Sequence, residues 1–191
     1  MHHDPSTRGP SHLPHRHPEF SGQRNGPQFL YVERYNATVC VVPRAASMSM
    51  RKSLREEART VSETKGDTYL WMRDPFERFA CMIHLFARDD DSLHQLTDGI
   101  LSDGRMNVHW TPVTQLYSNT EAINFLPFDS LKETWHELFP DIPLEHIHPN
   151  PTRPRWPDLK ERLTQRQLQG LNEYYAQDMK IYADATSRLS R

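Results

Sequence analysis

Two stretches of this chain set charged and hydroxyl side chains where a strand gives way to a helix, and one histidine stands apart. The first stretch is Pro43-Arg44-Ala45-Ala46-Ser47-Met48-Ser49. The first turn of a helix carries unpaired N–H groups and a partial positive charge, and small residues let an anion approach the backbone. Ser47 and Ser49 add hydroxyl donors and Arg44 a permanent charge. On its own the pattern reads equally as an anion site or as a β–α corner whose serines cap the helix. The GxxxxGK[ST] phosphate loop is absent, which argues against an ordinary P-loop kinase or GTPase. The second stretch is Arg73-Asp74-Pro75-Phe76-Glu77-Arg78, again with arginine at the end of an apolar run. The histidine is His109, beside Trp110 and ahead of Pro112, either a packed structural pair or an active-site base.

The elements that must position these groups follow from patterning. A β-branched run through Val39, Val41 and Val42 makes a buried strand, which Pro43 ends because it cannot donate to a ladder. Met50, Leu54, Ala58 and Val61 then recur at helical spacing. Phe29–Val32 predicts a short strand before this unit, and Thr68–Met72 a second buried strand after the turn at Gly66-Asp67. Asp74 suits an N-cap, Pro75 the first helical position and Glu77 a capping box, with Phe76, Phe79, Ala80, Ile83 and Phe86 on one helix face. Ligands of open parallel sheets bind at the carboxyl ends of strands. Arg44 and Arg73 are therefore expected on one rim, suited to a ligand with two separated anionic groups.

Further on, a short helix is expected near Ser92–Leu101 inside an acidic segment, where Asp89, Asp90 and Asp91 read as a solvated run. Ile123–Phe128 predicts a third strand, Ser130–Phe139 a helix with Ser130 and Glu133 in capping-box spacing, and Pro140–Pro157 a crossing loop holding His146, His148, Asn150, Arg153 and Arg155. Thr164 and Gln167 cap a long final helix through Leu168, Leu171, Tyr175 and Met179.

Composition bounds the rest. The chain has 191 residues, enough for one domain with a real core. Its formal charge of -2 gives no general attraction to nucleic acid or membrane surfaces. Residues 1–28 are His/Pro-rich with little apolar content and read as a disordered tail, leaving 29–191 as a single α/β domain. No apolar run approaches the ~20 residues of a membrane helix and no signal-peptide core is visible, so the expectation is a cytoplasmic protein. Cys40 and Cys81 sit in apolar contexts that favour reduced, buried thiols.

In their order, these segments resemble the sulfotransferases related to carbohydrate sulfotransferases. Pro43–Lys52 looks like that family's 5′-phosphosulfate loop, and Arg73-Asp74-Pro75-Phe76-Glu77-Arg78 like its 3′-phosphate motif RDPxxRxxSxY. His109-Trp110 to Gln115 is similar to its HWxPQ-like segment. The unit 124–139, the Asn150 loop and the Leu163-Thr164…Tyr175…Asp178 stretch fit in sequence. The likeness spans roughly residues 39–183 and implies a P-loop-like three-layer sandwich with a small central parallel sheet flanked by helices. It also implies transfer of a sulfuryl group from 3′-phosphoadenosine 5′-phosphosulfate (PAPS) to a glycan or small-molecule acceptor, without a metal. Arg44 and the loop Ala45, Ala46, Ser47, Met48 and Ser49 would hold the 5′-phosphosulfate. Arg73, assisted by Cys81, would grip the 3′-phosphate, Arg153 and Arg155 would close over the cofactor or meet an anionic acceptor, and His109 would be the base. The chain departs from the family pattern at four positions. Arg44 replaces the usual lysine, Cys81 a serine, Ile83 a tyrosine and Met48 a loop hydroxyl. Those departures keep a second reading open, a non-catalytic module that binds a nucleotide or sulfated ligand.

Overall fold

A computed structural model describes residues 28–103, 107–117, 119–145 and 154–189. The tail at 1–27 lies outside the described residues, as do His146, His148, Asn150 and Arg153.

The apolar run Ala37–Val41 forms strand β2, buried at every position. A strand with no exposed face must sit inside a sheet covered on both sides. Strand β1 (Gln28–Val32) pairs with it antiparallel, Val32 opposite Ala37, through a tight 3₁₀ turn at Glu33–Tyr35. On the other side β4 (Asp67–Met72) runs parallel, with Val39 opposite Tyr69, and β5 (Asn124–Pro127) lies parallel to β4. The short β3 (Arg59–Val61) closes the far edge against β1, giving the order β3-β1-β2-β4-β5. The sheet is therefore mixed. The parallel sheet expected from sequence is its β2-β4-β5 part, and β1 and β3 extend it antiparallel because a tight turn can join β1 to β2.

Alternation along the strands sends side chains to two covered faces. Val39, Val41 and Trp71 pack on one face against α1 (Ser47–Ser53) and α5 (Leu131–Leu138). There Trp71 meets Trp135 at 5.5 Å between ring centroids, and each indole N–H is bonded, to Thr134 Oγ1 and to the Ile142 carbonyl, both at 2.8 Å. Burying such rings contributes roughly 2–3 kcal/mol apiece, and the satisfied N–H groups keep that gain from being offset. Cys40, Val42, Leu70 and Met72 face the other way, toward α4 (Val113–Leu116) and Ile181 and Tyr182 of α8 (Ala176–Leu189). Beyond them, a third apolar cluster joins α2 (Pro75–Ile83), α3 (Asp90–Asp103), α6 (Trp156–Lys160) and α7 (Gln165–Tyr174). The result is an α/β arrangement, helices on both sides of a five-stranded sheet.

Several local expectations change. The first helix ends at Ser53 instead of running to Val61, since Val61 pairs with Phe29 in the edge strand. The closing helix is two helices that meet at Tyr175, although Thr164 and Gln167 do form the expected capping box. Asp74 caps α2 through the Phe76 and Glu77 N–H groups at 2.8 and 3.0 Å, but Glu77 turns outward to arginines. Ser130 donates back to the Pro127 carbonyl at 2.8 Å, so it gives α5 no side-chain cap. No helix among the described residues is long and apolar enough to cross a membrane.

Candidate functional site

Because β2 and β4 are parallel neighbours, the segments that follow them leave the sheet at the same edge. Arg44 comes three residues after the end of β2, and Arg73 directly follows Met72 of β4. The sequence pattern thus sends both arginines to one rim from adjacent strands.

The turn at 43–46 is built unusually. Arg44 has φ 70° and Ala46 φ 52°, left-handed values that residues other than glycine adopt at a cost on the order of 1–2 kcal/mol each. Ala45, buried between them, donates its N–H to the Val42 carbonyl at 3.2 Å, and the Ala46 carbonyl accepts from Met50 at 3.0 Å to start α1. Alternating handedness of this kind is the geometry of backbone anion nests, although here the Ala45 N–H is committed to the Val42 carbonyl. Ser49 is buried on α1, while Met48 stands exposed at the tip. A groove of about 1200 Å³ opens here along α5 and residues 140–145, with Ala46, Ser49 and Phe128 in its wall and the carboxyl groups of Asp129, Glu133, Glu137, Asp141 and Glu145 among its lining. Phe128 also carries Arg73, whose guanidinium carbon lies 5.8 Å from the ring centroid. The groove therefore touches the turn after β2 at Ala46 and the ring that Arg73 approaches, while neither Arg44 nor Arg73 is among its lining residues.

Arg73 also pairs loosely with Glu77 at 3.9 Å, and Arg155 reaches the same carboxylate at 3.3 Å. Arg155 is thus brought to the start of α2, beside Arg73, where the stacking of Trp156 on Phe76 (4.6 Å, 18°) fixes the chain. Cys81 lies on α2 and is 1 % exposed, enclosed within the helix packing.

His109 is held in a turn that its neighbours define closely. Its N–H donates to Asn107 Oδ1 at 3.0 Å, the Asn107 N–H donates to Thr111 Oγ1 at 2.7 Å, and the Thr111 N–H returns to the Asn107 carbonyl at 2.8 Å. The Tyr175 hydroxyl donates to the Trp110 carbonyl at 2.6 Å. Pro112 cannot cap α4 with a side chain, and Asp178 of α8 does so from across the structure. Its fully buried carboxylate accepts from the Val113 and Thr114 N–H groups at 2.7 and 3.0 Å and from the Thr114 hydroxyl at 2.8 Å. Burial, then the Arg44 and Arg78 guanidiniums, hold the imidazole below its ordinary pKa. The influence of Arg44 on this ring puts the turn after β2 and His109 in one electrostatic neighbourhood.

Two buried charged positions at this turn carried signals that residue type alone did not rank. Arg78 falls between Pro75 and Met82 on the buried side of α2, and Asp178 shares a helix face with Tyr175 and Ala185. A charge placed on an apolar helix face requires a built partner. No protein-family model, curated protein or solved structure matches this chain.

Proposed function

We propose that the protein is a PAPS-dependent sulfotransferase, with a P-loop-like loop at 43–49 taking the 5′-phosphosulfate and Arg73 taking the 3′-phosphate. The observation that carries this reading is the exit of Arg44 and Arg73 from the ends of the parallel neighbours β2 and β4. A doubly phosphorylated nucleoside needs cations at two separated points, and the groove beside Ala46 and Ser49 offers apolar walls at Leu131 and Trp135. The left-handed Arg44 and Ala46 fit the group on a second count, because such strain persists where a backbone cradle is used.

When bound, PAPS would supply the sulfuryl group, the acceptor oxygen bonding to sulfur as the bond from sulfur to the 5′-phosphate oxygen breaks with its electron pair. Arg44 and the N–H groups of the loop stabilise the charge gathering on that phosphate, and being preformed they need no reorganisation at the moment of reaction. His109 takes the acceptor's proton; its lowered pKa leaves the ring neutral and able to accept near pH 7. Arg44 in place of lysine acts only by charge and hydrogen bonding, since a guanidinium does not give up its proton near neutral pH. Glu77, pinned by Arg73 and Arg155, aligns the cationic arm for the 3′-phosphate. Acceptors are glycans or small molecules presenting a hydroxyl.

Isothermal titration with adenosine 3′,5′-bisphosphate tests the cofactor site, and labelled-sulfate transfer to panels of sugars, lipids and small alcohols tests turnover. Micromolar binding followed by transfer supports the enzyme. Binding without transfer to any acceptor points to a nucleotide-binding module, and absence of binding overturns both.

A further inference from the structure

We propose that Arg78 is a positioning residue for His109, its buried guanidinium fixing the turn by gripping the carbonyls on either side of that histidine. The inference rests on the reading of His109 as the base. Arg78 is 2 % exposed, and a guanidinium is costly to bury without a carboxylate partner. Its Nη2 donates to the Val108 carbonyl at 3.1 Å and to the Thr111 carbonyl at 2.9 Å, the residues that bracket His109-Trp110. Its Nε and Nη1 are buried without partners, as is Nδ1 of His109. An arginine kept only for packing would be replaced at no cost by an apolar side chain of its size. Here one nitrogen spans two carbonyls, and the charge stands close to the imidazole.

The charged and titratable groups around the turn come from four elements. Arg44 on the β2–α1 loop and Arg78 on α2 act on His109 through their charge. Tyr174 of α7 and Tyr175 after it are held protonated, their pKa values raised chiefly by burial. Asp178 of α8 is committed to Val113 and Thr114. Both charges acting on the ring are thus positive, and both favour the neutral form.

The test follows the imidazole C–H signal of His109 by NMR across pH in the full chain, assigned through its loss in His109→Gln. The wild-type signal is expected to titrate below ~6.5, the ordinary histidine value. Arg78→Lys keeps the charge and is expected to titrate near wild type. Arg78→Gln keeps a donor but loses the charge, and its His109 signal is expected to titrate at a higher pH than wild type. Identical titration in wild type and a folded Arg78→Gln overturns the proposal. Should Arg78→Gln fail to fold, Arg78→Lys decides. The lysine side chain is shorter and its ammonium does not reach the position of Nη2 between the two carbonyls, so amide exchange at Trp110 and Thr111 is expected to rise about tenfold or more. Unchanged exchange overturns the proposal. Neither readout uses nucleotide or acceptor, so each stands apart from the bisphosphate titration that decides the proposed function.

Discussion

The two ends of the central strands differ in how their backbone and polar groups are satisfied. At the end where β2 and β4 begin, the left-handed positions are Gly66 (φ 60°) and Asn36 (φ 46°), residue types that tolerate the conformation. The hydrogen bonds there close on themselves. Thr38 Oγ1 donates to the Lys65 carbonyl at 2.6 Å and accepts from its N–H at 2.8 Å, and Asp67 N–H meets the Asn36 carbonyl at 3.1 Å. At the opposite end the left-handed residues are Arg44 and Ala46, and Arg51 Nε, Arg78 Nε and Nη1, and His109 Nδ1 are buried without partners. One end is built for stability. The other stores strain and unused donors, the condition expected where a ligand completes the bonding.

The comparison can be broken first at Gly66. A Cβ there would lie 1.7 Å from the Asn36 carbonyl oxygen, so Gly66→Ala is expected to cost on the order of 4 kcal/mol in denaturant unfolding. A loss under ~1 kcal/mol would mean that the turn yields freely and the contrast between the ends is false. At the other end, Arg73→Ala is expected to weaken adenosine 3′,5′-bisphosphate binding by about 100-fold, the value of a charge-assisted bond, with little change in melting temperature. Normal binding by this variant would remove the 3′-phosphate assignment. His109→Ala is expected to spare that binding and abolish sulfuryl transfer, which single-turnover assays separate.

Smaller effects sharpen the contrast. Ala46→Gly relieves a left-handed alanine and is expected to raise stability by about 1 kcal/mol or less, net of the added freedom of the unfolded chain. Because the His109 pKa is depressed in the folded protein, its contribution to stability is present above the ordinary histidine value and is lost as pH falls through the folded one. Thermal melts from pH 8 to 5 are therefore expected to drop slightly further for wild type than for His109→Gln. Burial pushes the Cys40 thiol up to about 12, so maleimide at pH 8 is expected to label it only after unfolding.

Residue type within a few positions identified the buried strand through Val39 and Val41, the capped start of α2 at Asp74-Pro75 and the capping box at Thr164, because each depends only on close neighbours in the chain. The edge strand β3 was not legible. Val61 fits helical spacing with Met50 and Leu54, and only its pairing with Phe29 draws it into the sheet. Tyr175 likewise continues a helical face in sequence, yet packs at the junction of two helices with Phe76 and Phe79 around it.

For the site, residue order by itself determined which groups leave the strand ends, Arg44 and Arg73, since a parallel arrangement sends successive strand ends to one edge. Only the tertiary structure decided that Arg78 and Asp178, in helices far apart along the chain, hold the His109 turn from two sides. The physical reason is reach. Local patterns act through neighbours a turn or a strand apart, whereas a buried charge takes its meaning from whichever distant carbonyls and amides the packed helices bring against it.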